Sequence, residues 1–139
     1  MTLFSIVFIL LLFIDCALKY YLNQRQISAI NRSFNQVPAA FHNQISLEEH
    51  HKAGSYSLAK LNLGKIELIY GVILVLIFTL GGGIDKIAQL TQFSHYPISS
   101  EVGLIIVYSL ISSALGLPLS YYSTFKIEQA FGFNKMTLG

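Results

Sequence analysis

The amino-acid sequence predicts an all-α, polytopic membrane protein with about three transmembrane helices and a long helical cytoplasmic loop. Scarce charge, three long apolar runs and a lopsided placement of lysine and arginine point to it. Hydrophobic residues make up 53% of the chain and charged residues 12%, with a mean hydropathy of +0.57. A soluble domain carries about 25% charged residues, so this chain has too few to cover its own surface in water. Its 139 residues fit one folding unit, and 1–139 is read as a single transmembrane domain. The net charge of +2, without any basic cluster able to track a backbone of phosphates, excludes nucleic acid as a partner.

The first element spans about residues 2–18 and is rich in Phe and Leu. A crossing needs about 20 mostly apolar residues, and in lipid the backbone must satisfy its own hydrogen bonds, so each run is read as a helix. A signal peptide is a poor reading here: there is no Lys/Arg head, no small-x-small site, and Leu18-Lys19-Tyr20-Tyr21-Leu22 continues as bulky helix. Cys16, the one cysteine, allows no intramolecular disulfide and reads as a small buried hydrophobe. Asp15 sits near the cytoplasmic end of this span with Lys19 four residues on, an intrahelical pair by spacing. A role for Asp15 in a water-filled cavity is the alternative.

The connection, about residues 19–65, is too long for a hairpin turn. Pro38 marks a break, and Ser46-Leu47-Glu48-Glu49 reads as a capping box. The helix that starts there is expected to run straight into the second span, about residues 66–80, which stops at Gly81-Gly82-Gly83. Glu67, near the start of that span, has Lys19 or Arg25 as candidate partners. The third span covers about residues 102–119, with Ser99 or Ser100 as cap, a kink at Pro118, resumed helix through Gln129 and Gly132 as C-cap.

Six basic residues (Lys19, Arg25, Arg32, Lys52, Lys60 and Lys65) lie between the first two spans, and Lys126 and Lys135 follow the third. Only Lys86 lies between the second and third. Positive residues stay cytoplasmic, so the N-terminus is expected outside and the C-terminus cytoplasmic, with the lipid bilayer as partner.

The residues themselves show no catalytic constellation. Glu48-Glu49-His50-His51 lacks the spacing of HExxH, and a di-iron bundle needs two Glu-x-x-His pairs where one is present. A solvated first helical turn explains it better. His42 and His95 read as lone loop histidines. The triple glycine has neither the strand nor the GK[ST] of a phosphate loop.

Two stretches carry more information. Tyr21-Leu22-Asn23-Gln24-Arg25-Gln26, then Val37-Pro38 and residues 45–60, ISLEEHHKAGSYSLAK, resemble the first loop of integral-membrane CAAX prenyl proteases. Residues 117–137, LPLSYYSTFKIEQAFGFNKMT, resemble the stretch after that family's third span, with its Tyr-x-Thr-Phe-x-Ile-Glu and Gly-Phe-Asn-Lys-x-Thr pattern. Order and spacing agree over about residues 20–139. The resemblance implies the N-terminal region of a gluzincin-type zinc endopeptidase, a hydrolase whose helices enclose an intramembrane chamber. It also implies a bacterial inner or endoplasmic-reticulum-type membrane, and peptide or prenylated CAAX peptide as the full-length protein's substrate.

No HExxH occurs in the sequence, so the resemblance carries over no zinc ligand and no catalytic residue. It implies zinc in the full-length protein, held by a segment expected beyond Gly139, and none held by this chain. Asp15, Tyr21, Arg25, Gln26, Tyr122, Phe125, Glu128 and Asn134 are the candidates for structural support or chamber lining. Tyr122, Phe125 and Gln129 recur at helical spacing as a packing face, and Arg25 is the expected partner of Glu128. A standalone scaffold that binds a partner without catalysis is the alternative function.

Overall fold

The computed structural model describes residues 2–41, 44–92 and 97–136, with the side chains of Ala40 and Pro97 left aside. His42 and His95 lie outside the described residues. Among the described residues four α-helices follow one another: α1 Leu3–Ser33, α2 Leu47–Thr79, α3 Gly83–Leu90 and α4 Pro97–Tyr122. A 3₁₀ turn, Ala39–Phe41, precedes α2, and a π turn, Ser123–Glu128, continues α4. Among the described residues there is no strand.

Among the described residues three helical segments are long and apolar enough to cross a membrane: Leu3–Ser33, Leu47–Thr79 and Ile98–Glu128. The apolar runs are where the sequence puts them, but the helices overshoot them. The 31 residues of α1 measure about 46 Å at about 1.5 Å per residue, so the helix leaves the bilayer and makes up the first third of the expected loop. Leu, Ile and Phe side chains remain exposed along all three segments, and α1 buries none of its residues. Such a surface would aggregate in water, whereas lipid tails solvate it as well as a protein core would.

The start of α2 is a complete capping box. The Ser46 amide and hydroxyl donate to Glu49 Oε2 at 2.9 and 2.8 Å, and the Glu49 amide donates back to Ser46 Oγ at 3.2 Å. Glu49 lies well before the apolar stretch, and these bonds, the backbone one foremost, hold its carboxyl below its ordinary value. The head of α4 differs from expectation. Pro97 opens the helix, so Ser99 and Ser100 lie inside its first turn; proline fits there because its missing N–H would have had no partner. Helical winding also passes through Pro118 without interruption.

The chain forms two compact units, Met1–Tyr70 with Tyr122–Gly139, and Gly71–Tyr121. In the first, α1 and α2 run antiparallel, since Asn23 Nδ2 donates to the Leu61 carbonyl at 3.0 Å while His50 Nε2 meets the Ser33 carbonyl at 2.9 Å. Gly54 permits the approach: a Cβ there would lie 2.9 Å from Phe34 Cε2. Phe34 in turn stacks on His51, with ring centroids 4.8 Å apart and an interplanar angle of 8°.

In the second unit Phe78 and Tyr108 meet edge to face at 5.2 Å. Among the described residues Thr91 is the most buried side chain, its hydroxyl bonding back to the Ile87 and Ala88 carbonyls at 3.1 Å each. Helix α3 was not foreseen. Ile84, Ile87 and Ala88 have the i, i+3, i+4 spacing of one helical face, but the three glycines ahead of them mask the signal. Gly82, at φ 72°, is the residue that turns the chain into α3.

Candidate functional site

The first unit brings together the two sequence stretches that bear the resemblance. Lys52, Tyr56 and Lys60 recur every fourth residue along α2 and share one face. The π turn and the residues after it dock there. Lys60 Nζ donates to Ser123 Oγ at 2.7 Å and to Glu128 Oε1 at 3.4 Å. Tyr56 meets Phe131 and Phe133 edge to face, at 5.5 and 4.8 Å between centroids. Lys52 Nζ stands 5.7 Å from the centre of the Phe133 ring, within reach of a cation–π attraction.

The π turn makes the double contact to Lys60 possible. Residues five apart on an α-helix lie about 140° round the axis from each other. A π turn closes on the fifth residue, and so puts Ser123 and Glu128 on one side. Gly132, at φ 77°, then ends the helix: its amide bonds the Gln129 carbonyl at 3.1 Å and the Phe133 amide bonds the Glu128 carbonyl at 2.8 Å. This is the paired closure that a left-handed glycine allows. Asn134 fastens the return, with Nδ2 donating to the Thr124 carbonyl at 3.2 Å and Oδ1 accepting from the Met136 amide at 2.7 Å.

Asp15 pairs with Lys19 at 2.8 Å, as their spacing requires, and both are more than half exposed. Glu67 is exposed and takes part in no ion pair among the described residues. Arg25 does not reach Glu128. Its guanidinium lies 6.0 Å from the centre of the Tyr21 ring one turn back on α1, while Lys60, packed beside the π turn, takes the carboxylate. Nor is the Tyr122, Phe125 and Gln129 face the inward one: Tyr122 and Gln129 are exposed, Phe125 is half-buried and Ile127 is buried. The π winding shifts the phase on which the α-helical spacing relied. Gln26 is exposed on α1.

The Lys60 and Glu128 side chains are 39% and 32% exposed, so water screens the pair and its coupling should be about 0.5–1 kcal/mol. A double-mutant cycle with Lys60→Met and Glu128→Gln, read by thermal unfolding in detergent, is expected to show that coupling. The cycle on Arg25→Gln and Glu128→Gln should be additive. The reverse pattern would refute this arrangement.

A zinc ion does not fit the residues described. His50 bonds a carbonyl and His51 is stacked on Phe34. Among the described residues no three His, Cys, Asp or Glu side chains gather as a ligand set, and catalytic zinc takes three protein ligands.

Known proteins resemble this chain in sequence and in fold. Residues 26–139 match the family described as CAAX prenyl protease N-terminal, five membrane helices. CAAX prenyl protease 1 of Saccharomyces cerevisiae is 30% identical over 129 residues, covering 85% of this chain and 28% of that protein. The Homo sapiens CAAX prenyl protease 1 homolog is 30% identical over 127 residues, covering 86% and 26%. The crystal structure of S. mikatae Ste24p superposes with a TM-score of 0.88 at 25% identity, over 99% of this chain and 33% of that one. The chain thus spans between a quarter and a third of the length of these relatives. With both motif stretches folded onto each other and the profile matched over residues 26–139, the chain belongs to the CAAX prenyl protease N-terminal family.

Proposed function

We propose that this chain is the membrane-embedded N-terminal region of a zinc metalloendopeptidase of the CAAX prenyl protease type, and that it forms part of an intramembrane chamber wall. The observation that carries this is the docking of the 123–134 segment on Lys52, Tyr56 and Lys60. It fastens the end of the third candidate span to the polar half of α2, which is what a rigid wall needs. In this reading the zinc ligands and the general base belong to sequence outside 1–139, and this chain supplies shape. The substrate class is a peptide ending in a prenylated CAAX sequence.

The chain lies in the membrane with the N-terminus outside and residues 19–65 on the cytoplasmic side, in keeping with the positive charge concentrated there. A bacterial inner membrane or an endoplasmic-reticulum-type membrane would both suit it.

The test has two arms. The full gene product, purified from its native membrane, should cleave a farnesylated CAAX peptide, and a zinc chelator should abolish the cleavage. Membranes in which it cleaves nothing, with zinc supplied, would refute the protease assignment. A reporter fused at Asn35 should read as cytoplasmic and one at Gln92 as external; the opposite result would reverse the orientation.

A further inference from the structure

We propose that the arginine stripe on α1 binds the phosphate of an anionic phospholipid at the membrane surface. Tyr21, Gln24, Arg25, Ser28, Ala29 and Arg32 line a shallow groove of about 390 Å³ along this helix. Three features make it a headgroup site.

The first is its side of the helix. Asn23 and Ile30 of α1, and Phe34 just past its end, turn their side chains toward α2, and Ser33 meets it through its carbonyl. At about 100° per residue, Tyr21, Arg25, Ser28 and Arg32 lie close to 180° away from those side chains. The stripe therefore faces out of the α1–α2 pair, and Tyr21, Arg25, Ser28 and Arg32 are all exposed.

The second is charge. Lys19 is matched by Asp15, and Lys60 by Glu128. Arg25 and Arg32 have no acidic partner among the described residues, which leaves two guanidinium groups suited to the forked oxygens of a phosphate.

The third is depth. The apolar run ends near Leu18, within about a turn of where a core about 30 Å thick, counted from Leu3, would close. Tyr20 and Tyr21 then fall at the boundary, where aromatic rings gather, and Arg25 lies one turn beyond, at the level of the phosphates. Helical side chains lean toward the N-terminus, so both arginines reach back toward the bilayer. Arg25 rests over the Tyr21 ring, 6.0 Å from its centre, and Arg32 lies two turns further, about 10 Å along the axis, where a Debye length of about 8 Å already weakens its pull.

The probe is spin-labelled phosphatidylserine, compared with spin-labelled phosphatidylcholine, on the purified protein in phosphatidylcholine vesicles. Electron spin resonance should give a preference for the anionic lipid that falls roughly fivefold in Arg25→Gln and by a smaller factor in Arg32→Gln. Raising the salt toward about 1 M should weaken it in the wild type. Thermal unfolding in phosphatidylcholine alone controls for folding and should be unchanged in both variants. No preference in the wild type, as would follow if a protein segment covers the stripe, overturns the proposal. So does a preference that survives both substitutions.

Discussion

Replacing Tyr56 by alanine is expected to destabilise the protein by about 2–3 kcal/mol. The ring is shared between Phe131 and Phe133, which it meets edge to face with centroids 5.5 and 4.8 Å apart. Truncating it removes both contacts and opens a void between α2 and the returning chain. A fully buried aromatic would cost about 3–5 kcal/mol; Phe133 is 58% exposed, which lowers the figure. The hydroxyl is not needed for either contact, so Tyr56→Phe should unfold within about 0.5 kcal/mol of wild type. Thermal unfolding in detergent reads both, and limited proteolysis after Gln129 should speed up in the alanine variant alone. Equal losses in the two variants would mean that the ring packing is not what holds the segment.

Substituting Gly54 is the other large effect, and its sign is informative. In an isolated helix, Gly→Ala stabilises by about 1 kcal/mol. Here the new Cβ would meet Phe34 at 2.9 and 3.1 Å, and the ring cannot swing away without leaving His51. Overpacking of this kind costs about 1–3 kcal/mol. Gly54→Ala is therefore expected to be neutral to destabilising, and Gly54→Val to lose about 2–3 kcal/mol, partly recovered by pairing it with Phe34→Leu. A gain of about 1 kcal/mol from Gly54→Ala would show that α1 and α2 do not meet there.

The span count, the capping box at Ser46, the Asp15–Lys19 pair and the Gly132 cap were all legible because each follows from local chemistry. Apolar length, a serine three residues before a glutamate, opposite charges one turn apart and a glycine after a helix need no knowledge of the fold. What was lost depended on winding or on distance. The partner of Glu128 could not be read, because nothing in STFKIE announces a π turn, and helical spacing applied across it points to the wrong face. Lys60 lies 68 positions from Glu128, and only the folded α2 shows that it, rather than Arg25, shares a side with the π turn. Lys52, Tyr56 and Lys60 are four residues apart in the sequence, but that spacing names no partner until the 123–134 segment is docked on it. The first loop shrank because Tyr20 to Ser33 contain no proline or glycine to stop α1.

The winding of Ser123–Glu128 makes residue number, as distinct from residue type, a carrier of structure in this stretch. A π turn is a helix holding one more residue than its α-helical length. Deleting any one position between Ser123 and Glu128 would let the ladder close on the fourth residue, and at about 100° per residue Glu128 would still come to within about 40° of Ser123. Glu128, Phe131 and Phe133 would go on facing Lys60 and Tyr56. The same deletion in the regular helix just before Ser123 would turn everything downstream by about 100°, so the spare residue makes the π turn the one place in this stretch where a residue can be lost and the docking kept.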